Sequence, residues 1–508
     1  MILSKQNVAA IKKIEGLDIP DEKLFSLPEK VLQFGTGVLL RGLPDYFIDK
    51  ANKKNIFNGR IVVIKSTSQG DTDAFAKQGN MYTQCVRGIE NGMRVDEAII
   101  NTSVSRVLTA SGEWNEILAC AANPQMQIII SNTTEVGIVL QNNDNVYAGP
   151  PESFPGKLLA FLLERYKRFS GSAESGMVII PTELITENGT KLKNIVVELA
   201  RQNKLDNAFI EWVQSANDFC NSLVDRIVPG KLPGDEKAAT ESRLGYKDDL
   251  MIMSEVYRLW AIETSSDRTK EILSFSKTDA GLVLAPDIDK FRELKLRLLN
   301  GSHTFSCGLA LLMGFNTVKQ AMEDSLFFNF ISSLMLKEIV PAIVNEKVSE
   351  EEARQFSEAV LDRYKNPFIE HQWLSISLQY SSKMKMRNVP VLLQHYGKKD
   401  AVPRCMAMGF AAYLLFMKSE KNKEQVLTGT IHGKQYVIND DKAAEIHQLW
   451  HTANTGNFVH KVLNNTSLWG CNLDELPGLT AAITEDIEFI QKHGVVETLQ
   501  KFLVQKIV

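Results

Sequence analysis

The stretch KVLQFGTGVLLRG, Lys30 to Gly42, decides how the first half of this chain folds. Its apolar opening, Lys30 to Phe34, has the length of a buried strand and breaks at Gly35-Thr36-Gly37. Helical spacing follows through Tyr46 to Ala51, and Arg60 to Lys65 (RIVVIK), rich in β-branched residues, reads as a second strand. A glycine turn between a strand and a helix lets a phosphate-bearing ligand approach backbone amides that a Cβ would shield. The third glycine of a dinucleotide fingerprint is out of place, since Leu40 stands there and Gly42 lies two residues on. Taken alone, the turn therefore leaves a plain tight turn open.

Working outward, Gln127 to Ser131 (QIIIS) and Gly176 to Pro181 (GMVIIP) each follow a helix-like segment, so a parallel sheet covered by helices is the natural packing. Pro229 to Asp235 (PGKLPGD) reads as a loop. Glu271 to Ser276 (EILSFS) and Gly281 to Ala285 (GLVLA) read as the last strands of the first domain. From Ile288 long helical periodicities dominate, with Leu296, Leu299, Leu309 and Leu312 in the first apolar stripe and a hairpin expected near Thr428 to Asn439. The expected class is α/β, with an α/β domain over 1–287 and a mostly α-helical domain over 288–508.

A chain of 508 residues, 44% hydrophobic and 23% charged, has ordinary globular composition and is long enough for two large domains. Its net charge of -4 and pI near 6.1 offer no general attraction to nucleic acid or anionic lipid. The opening MILSKQNVAAIKKIEG lacks an apolar core of secretory length, and the apolar stretch near Cys405 to Met417 is too short to span a bilayer. A cytoplasmic protein without nucleic-acid or membrane partners is expected. Six cysteines stand singly with no C-x-x-C pair, which argues against a zinc knuckle or redox motif.

The second strand ends Ile64-Lys65-Ser66-Thr67, without the acid that usually accepts from the adenosine ribose, so NAD and NADP both stay open. Ser131 to Glu135 (SNTTE), after another strand, could line the same crevice. The most informative stretch is KLRLLNGSH, Lys295 to His303. On an α-helix Lys295, Asn300 and His303 fall within roughly 140° of one another. An ammonium is a poor metal ligand, but a lysine and an amide are what carbonyl reduction needs: a proton donor and a neutral donor to developing negative charge. A polar helix face remains the plain alternative.

Together these segments resemble the mannitol dehydrogenase family, also called the long-chain polyol dehydrogenases, over nearly the whole chain. QFGTGVLLRG is similar to that family's cofactor loop, SNTTEVGI to its second nucleotide segment, PTELITENGTKL to its substrate-side loop and LVDRIVP to its interdomain strand. KLRLLNGSH resembles its catalytic helix and RYKNPFIEHQ its C-terminal signature. The resemblance implies a Rossmann-type N-terminal domain, a helical C-terminal domain, an active site in the cleft between them, and catalysis without metal. It implies NAD bound by Leu32, Gln33, Phe34, Gly35, Thr36, Gly37, Val38, Leu39, Leu40 and Arg41, with Asn132 and Thr133. Lys295 would be the general acid and base, Asn300 and Asn188 would hold the reacting oxygen, and His303 would orient it or the lysine. The implied reaction is reversible NAD-dependent reduction of a keto group on a small sugar acid, a hexuronate, with a polyol 2-dehydrogenase or a nucleotide-binding sensor without turnover as alternatives. A uronate needs a cation, and Lys383 and Arg387, four apart, could share a helix face to supply it. The chain departs from mannitol enzymes in carrying Glu183-Leu184 before the loop amide where they usually carry Asp-Asn.

Overall fold

A computed structural model of the chain describes residues 1–66, 72–133 and 137–504. Thr67, Thr134 and Glu135 of the motifs above lie outside the described residues. Contacts divide the chain into Met1–Gly88 with Arg94–Ile288 as one unit and Ile89–Met93 with Asp289–Val508 as the other.

In the first unit, β1 (Glu29–Phe34), β2 (Arg60–Lys65), β3 (Val104–Thr109), β4 (Ile128–Ser131), β5 (Val178–Pro181) and β6 (Asp218–Phe219) form one sheet. Their order is β3-β2-β1-β4-β5-β6, and every neighbouring pair is parallel. The winding runs outward from β1 to β3, then restarts at β4 on the other side of β1. This reversal makes the carboxyl ends of β1 and β4 a switch point, the usual ligand crevice of a doubly wound sheet.

Helix α1 (Val38–Gly42) ends at Leu43 because Pro44 starts a new helix, α2 (Pro44–Lys53), lacking the N–H that would continue the old one. Helices α3 (Phe154–Arg168) and α4 (Asn188–Gln202) also belong to this unit. Leu32, Phe34, Val62, Ile64 and Ile129 join a buried cluster with Leu158 and Phe161 of α3. Val31, Ile61, Val63, Ile128 and Ile130 join the opposite cluster with Phe47 and Ile48 of α2. Because both faces are covered, the strands read as unbroken apolar runs, and each fully buried large aliphatic contributes about 1.5–3 kcal/mol.

Two expectations are corrected here. Glu271 to Ser276 is no strand: Ser266 caps a helix over Asp267–Ile272 by accepting from the Thr269 N–H, and a 3-10 turn over Ser274–Thr278 follows, burying Leu273 and Phe275. LVDRIVP, Leu223 to Pro229, expected as an interdomain strand, begins in the strand Ser222–Asp225, which pairs antiparallel with Leu259–Glu263, itself parallel to Leu282–Ala285, all inside the first unit.

The second unit is mostly helical, with α5 (Ser302–Leu312), α6 (Glu350–Tyr364) and α7 (Arg404–Phe416) among its elements. A hairpin, Leu427–Ile431 with Lys434–Val437, turns through His432 and Gly433, both at positive φ as a two-residue hairpin turn requires. Among the described residues Ser325–Ile343, not Cys405 to Met417, is long and apolar enough by composition to cross a membrane, and 56% of its most apolar stretch is buried inside the fold.

Candidate active site

Gly35 follows β1 at φ 126°, and a Cβ there would sit 2.9 Å from the Asn132 main-chain oxygen and 2.9 Å from Leu40 Cδ1. Gly37 has an ordinary φ of -62°, and a Cβ on it would meet nothing within 4 Å. The chain itself thus requires glycine at 35, whereas glycine at 37 stands over open space at the carboxyl end of β1. Gly35, Thr36, Gly37, Val38 and Leu39 reach the surface, while Leu32, Gln33, Phe34, Leu40 and Arg41 are buried. Arg41 turns inward: Nη1 donates to the Leu250 oxygen at 2.8 Å and the guanidinium lies 5.3 Å from the Tyr82 ring centroid. Of the ten residues expected at the cofactor, the first five named here line the surface and the other five lie beneath it.

Beneath the turn, Asp45 is fully buried beside Arg41, Gln33 and Tyr82, and burial pushes its carboxyl up to about 7. At the end of β2, Lys65 is buried, and the Ser66 hydroxyl is buried without a hydrogen-bond partner.

Asn132 and Thr133 follow β4, and both lean on the end of β5. Asn132 Nδ2 donates to the Thr182 main-chain oxygen at 3.2 Å and to Thr182 Oγ1 at 3.0 Å. Thr133 donates from its N–H and its hydroxyl to Glu183 Oε1, at 2.8 and 2.9 Å. Asn188, expected to hold a reacting oxygen, is fully buried. Its Nδ2 donates to the main-chain oxygens of Pro181, Glu183 and Ser222, and its Oδ1 accepts from the N–H groups of Gly189 and Ser222. With both amide hydrogens and the oxygen engaged, it pins the loop after β5 and has no donor left for a ligand, which corrects the expected role.

In the second unit, Lys295–Gly301 is wound as a π-helix, not as the α-helix expected, and runs directly into α5. A turn with i→i+5 bonds takes more residues than an α turn, so positions 295 and 300 lie closer around the axis than α winding would place them. Neighbouring side chains satisfy the carbonyls of this wide turn. Tyr364 Oη donates to the Leu299 oxygen at 2.8 Å, Thr304 Oγ1 to the Asn300 oxygen at 2.7 Å and Asn388 Nδ2 to the Gly301 oxygen at 3.1 Å.

His303, on the first turn of α5, lies flat against the Tyr364 ring and meets the rings of His371 and Trp373 edge-on. Its Nε2 is buried without a hydrogen-bond partner. Burial first, then His371 and the charges of Arg363, Arg387 and Lys383, hold its pKa well below the ordinary value, so the ring is neutral. A neutral imidazole with an open nitrogen can hydrogen-bond a ligand oxygen.

A second π-helix, Met384–Asn388, carries Arg387. Lys383 ends the short helix before it, and burial first, then the charge of Arg387, lowers its pKa, so the two cations stand close together. Lys383 Nζ donates to the Ile376 oxygen at 2.7 Å; Arg387 Nη1 donates to Thr304 Oγ1 at 3.2 Å, and its Nε is buried without a partner. Arg297 ties the two π turns together by donating to the main-chain oxygens of Met386 and Arg387.

Sequence reasoning missed Tyr364, His371, Trp373 and Thr304. The first three fall in or beside RYKNPFIEHQ, but no periodicity ties that segment to His303, because the meeting is tertiary. Among the described residues no group of three His, Cys, Asp or Glu could hold a metal ion.

A doubly wound parallel sheet with an open glycine turn, and a helical unit that presents a lysine, an amide and a neutral histidine, define a dehydrogenase that uses a nicotinamide dinucleotide. The chain belongs to the mannitol dehydrogenase family: the family's Rossmann domain matches residues 29–273 and its C-terminal domain residues 287–491. It is thus an oxidoreductase acting on CH–OH groups. Altronate oxidoreductase of Bacillus subtilis (strain 168) is 36% identical over 481 residues, covering 94% of this chain and 96% of that protein. Altronate oxidoreductase of Halalkalibacterium halodurans is 35% identical, with 95% of each chain covered. Among solved structures, Pseudomonas fluorescens mannitol 2-dehydrogenase, in a ternary complex with NAD and D-mannitol, shares the fold at 20% identity with TM-score 0.66 and 99% of each chain covered.

Proposed function

We propose that this chain reduces the keto group of a hexuronate, tagaturonate to altronate, reversibly and with NADH, in the cytoplasm as a step of hexuronate catabolism. The observation that carries this reading is the neutral His303, its Nε2 unpartnered, among the cations Arg363, Arg387 and Lys383. Such a surround favours an anionic substrate over a neutral polyol. The names of full-length relatives at 35–36% identity point to the same substrate.

In this reading Gly35 to Leu39 hold the cofactor's phosphates, with Asn132 and Thr133 beside them. Bound NADH supplies the hydride. Lys295 gives a proton to the substrate oxygen in reduction and takes it back in oxidation. Asn300, aligned with Lys295 by the π winding, donates to the same oxygen and steadies its negative charge. His303 orients that oxygen through Nε2. Arg387 and Lys383 hold the carboxylate, Lys383 through the ammonium hydrogens that Ile376 leaves over. Asn188 acts as a positioning residue.

A panel of tagaturonate, fructuronate and fructose assayed with NADH and NADPH tests the proposal. The highest kcat/KM is expected with tagaturonate and NADH, with measurable NADPH activity and no loss on EDTA treatment. A preference for fructose, or activity restored only by added zinc, overturns it.

A further inference from the structure

The carboxylate of Glu183, just after β5, takes three hydrogen bonds from the loop after β4. Oε1 accepts the Thr133 N–H and hydroxyl, and Oε2 accepts the Ser131 hydroxyl at 3.2 Å. The side chain is only 3% exposed. Its own backbone is fixed as well: the Glu183 oxygen accepts from Asn188 Nδ2 at 3.1 Å and from the Ile185 N–H at 2.7 Å. The rest of the loop is stitched to the preceding residue, because Thr182 donates to the Ser131 oxygen from both its N–H and its hydroxyl, each at 2.8 Å. Asn132, between the two clamped residues, carries the main-chain oxygen that faces Gly35 across the switch point.

We propose that Glu183 is the positioning residue for the cofactor, acting through Ser131 to Thr133 to set the wall of the crevice opposite the glycine turn. The proposal rests on reading that crevice as the dinucleotide site. Three donors converging on one side chain call for an acceptor-only group, which an ionised carboxylate is and an amide is not. Burying a charge there is tolerable because all three hydrogen bonds are charge-assisted. Glu183→Gln keeps the shape but takes the charge from the bonds to Thr133 and forces the Ser131 hydroxyl to turn from donor to acceptor. The clamp on the loop that carries the Asn132 oxygen beside Gly35 is thereby weakened.

Fluorescence titration of NADH into wild type and Glu183→Gln, with melting curves of the free proteins and kcat at saturating NADH, tests the idea. Losing a charge-assisted bond from a buried cluster should raise the NADH dissociation constant by about tenfold or more, while kcat at saturation falls by a smaller factor. Glu183→Asp, a carboxylate one methylene shorter, should recover part of the affinity. An unchanged dissociation constant in a variant that melts cooperatively overturns the proposal. Should Glu183→Gln fail to fold, Ser131→Ala decides, since it removes one of the three donors at a residue not placed on the cofactor: weaker NADH binding supports the clamp and unchanged binding overturns it. A wild-type protein that binds neither NADH nor NADPH overturns the cofactor reading itself.

Discussion

The imidazole of His303 stacks on the ring of Tyr364, centroids 4.1 Å apart and planes 22° from parallel, while the Tyr364 hydroxyl donates to the Leu299 oxygen in the turn that carries Lys295 and Asn300. One aromatic side chain thus fixes both the histidine and the turn before it.

The neutral state of His303 has a pH signature. Its folded pKa lies well below 6.5, so between those values the unfolded chain takes up a proton that the folded chain refuses. Its contribution to stability is full above about 6.5 and is lost as pH falls through that window. In an NMR titration of the wild type, the His303 ring should show no protonation near pH 6.5. A midpoint at the ordinary histidine value would remove it from the role proposed.

Lys295→Ala should lower kcat by about two to four orders of magnitude, the span of a lost general acid and base. NADH binding should survive, because the glycine turn lies on the other unit. Near wild-type turnover with an unchanged pH profile would show that the proton comes from elsewhere.

Arg297 donates at 2.8 Å to the Met386 oxygen and at 3.1 Å to the Arg387 oxygen. Arg297→Ala removes the donor to those carbonyls and should cost about 0.5–1.5 kcal/mol of stability. Because it also frees the turn that carries Arg387, KM for the sugar acid should rise more than kcat falls. A stability loss with both kinetic constants unchanged would reduce Arg297 to a packing role.

Asp45 has the opposite sign from a salt-bridged carboxylate. Its folded pKa is raised from 3.8 to about 7, so the folded chain holds a proton the unfolded chain gives up, and stability falls as pH rises through that window. Asp45→Asn should remove this fall and stabilise the protein by about 1–3 kcal/mol at pH 8 relative to wild type. Asp486, also raised to about 7, keeps its own share of the pH dependence. Parallel melting curves at pH 5 and pH 8 measure the difference, and a variant less stable than wild type at pH 8 would contradict the sign.

The sequence by itself determined the order of strand, glycine turn and helix, the helical second half and the hairpin near its end, because short unbroken apolar runs between turn residues and period-3.6 spacing leave a local record in the sequence. It also named Lys295, Asn300 and His303 as a chemical set, since a lysine and an amide beside a histidine are legible as residue types. Only the tertiary structure decided how they are presented. The π winding of Lys295–Gly301 depends on side chains of Tyr364, Thr304 and Asn388 satisfying its carbonyls, and two of those lie far along the chain. The neutrality of His303 is set first by burial, against Tyr364 among others, and then by His371 and three cations that no periodicity connects to it. Burial likewise spent Asn188 and Arg41 on backbone carbonyls, because a polar group enclosed by its own fold must bond there, and sequence cannot say which polar side chain will be enclosed.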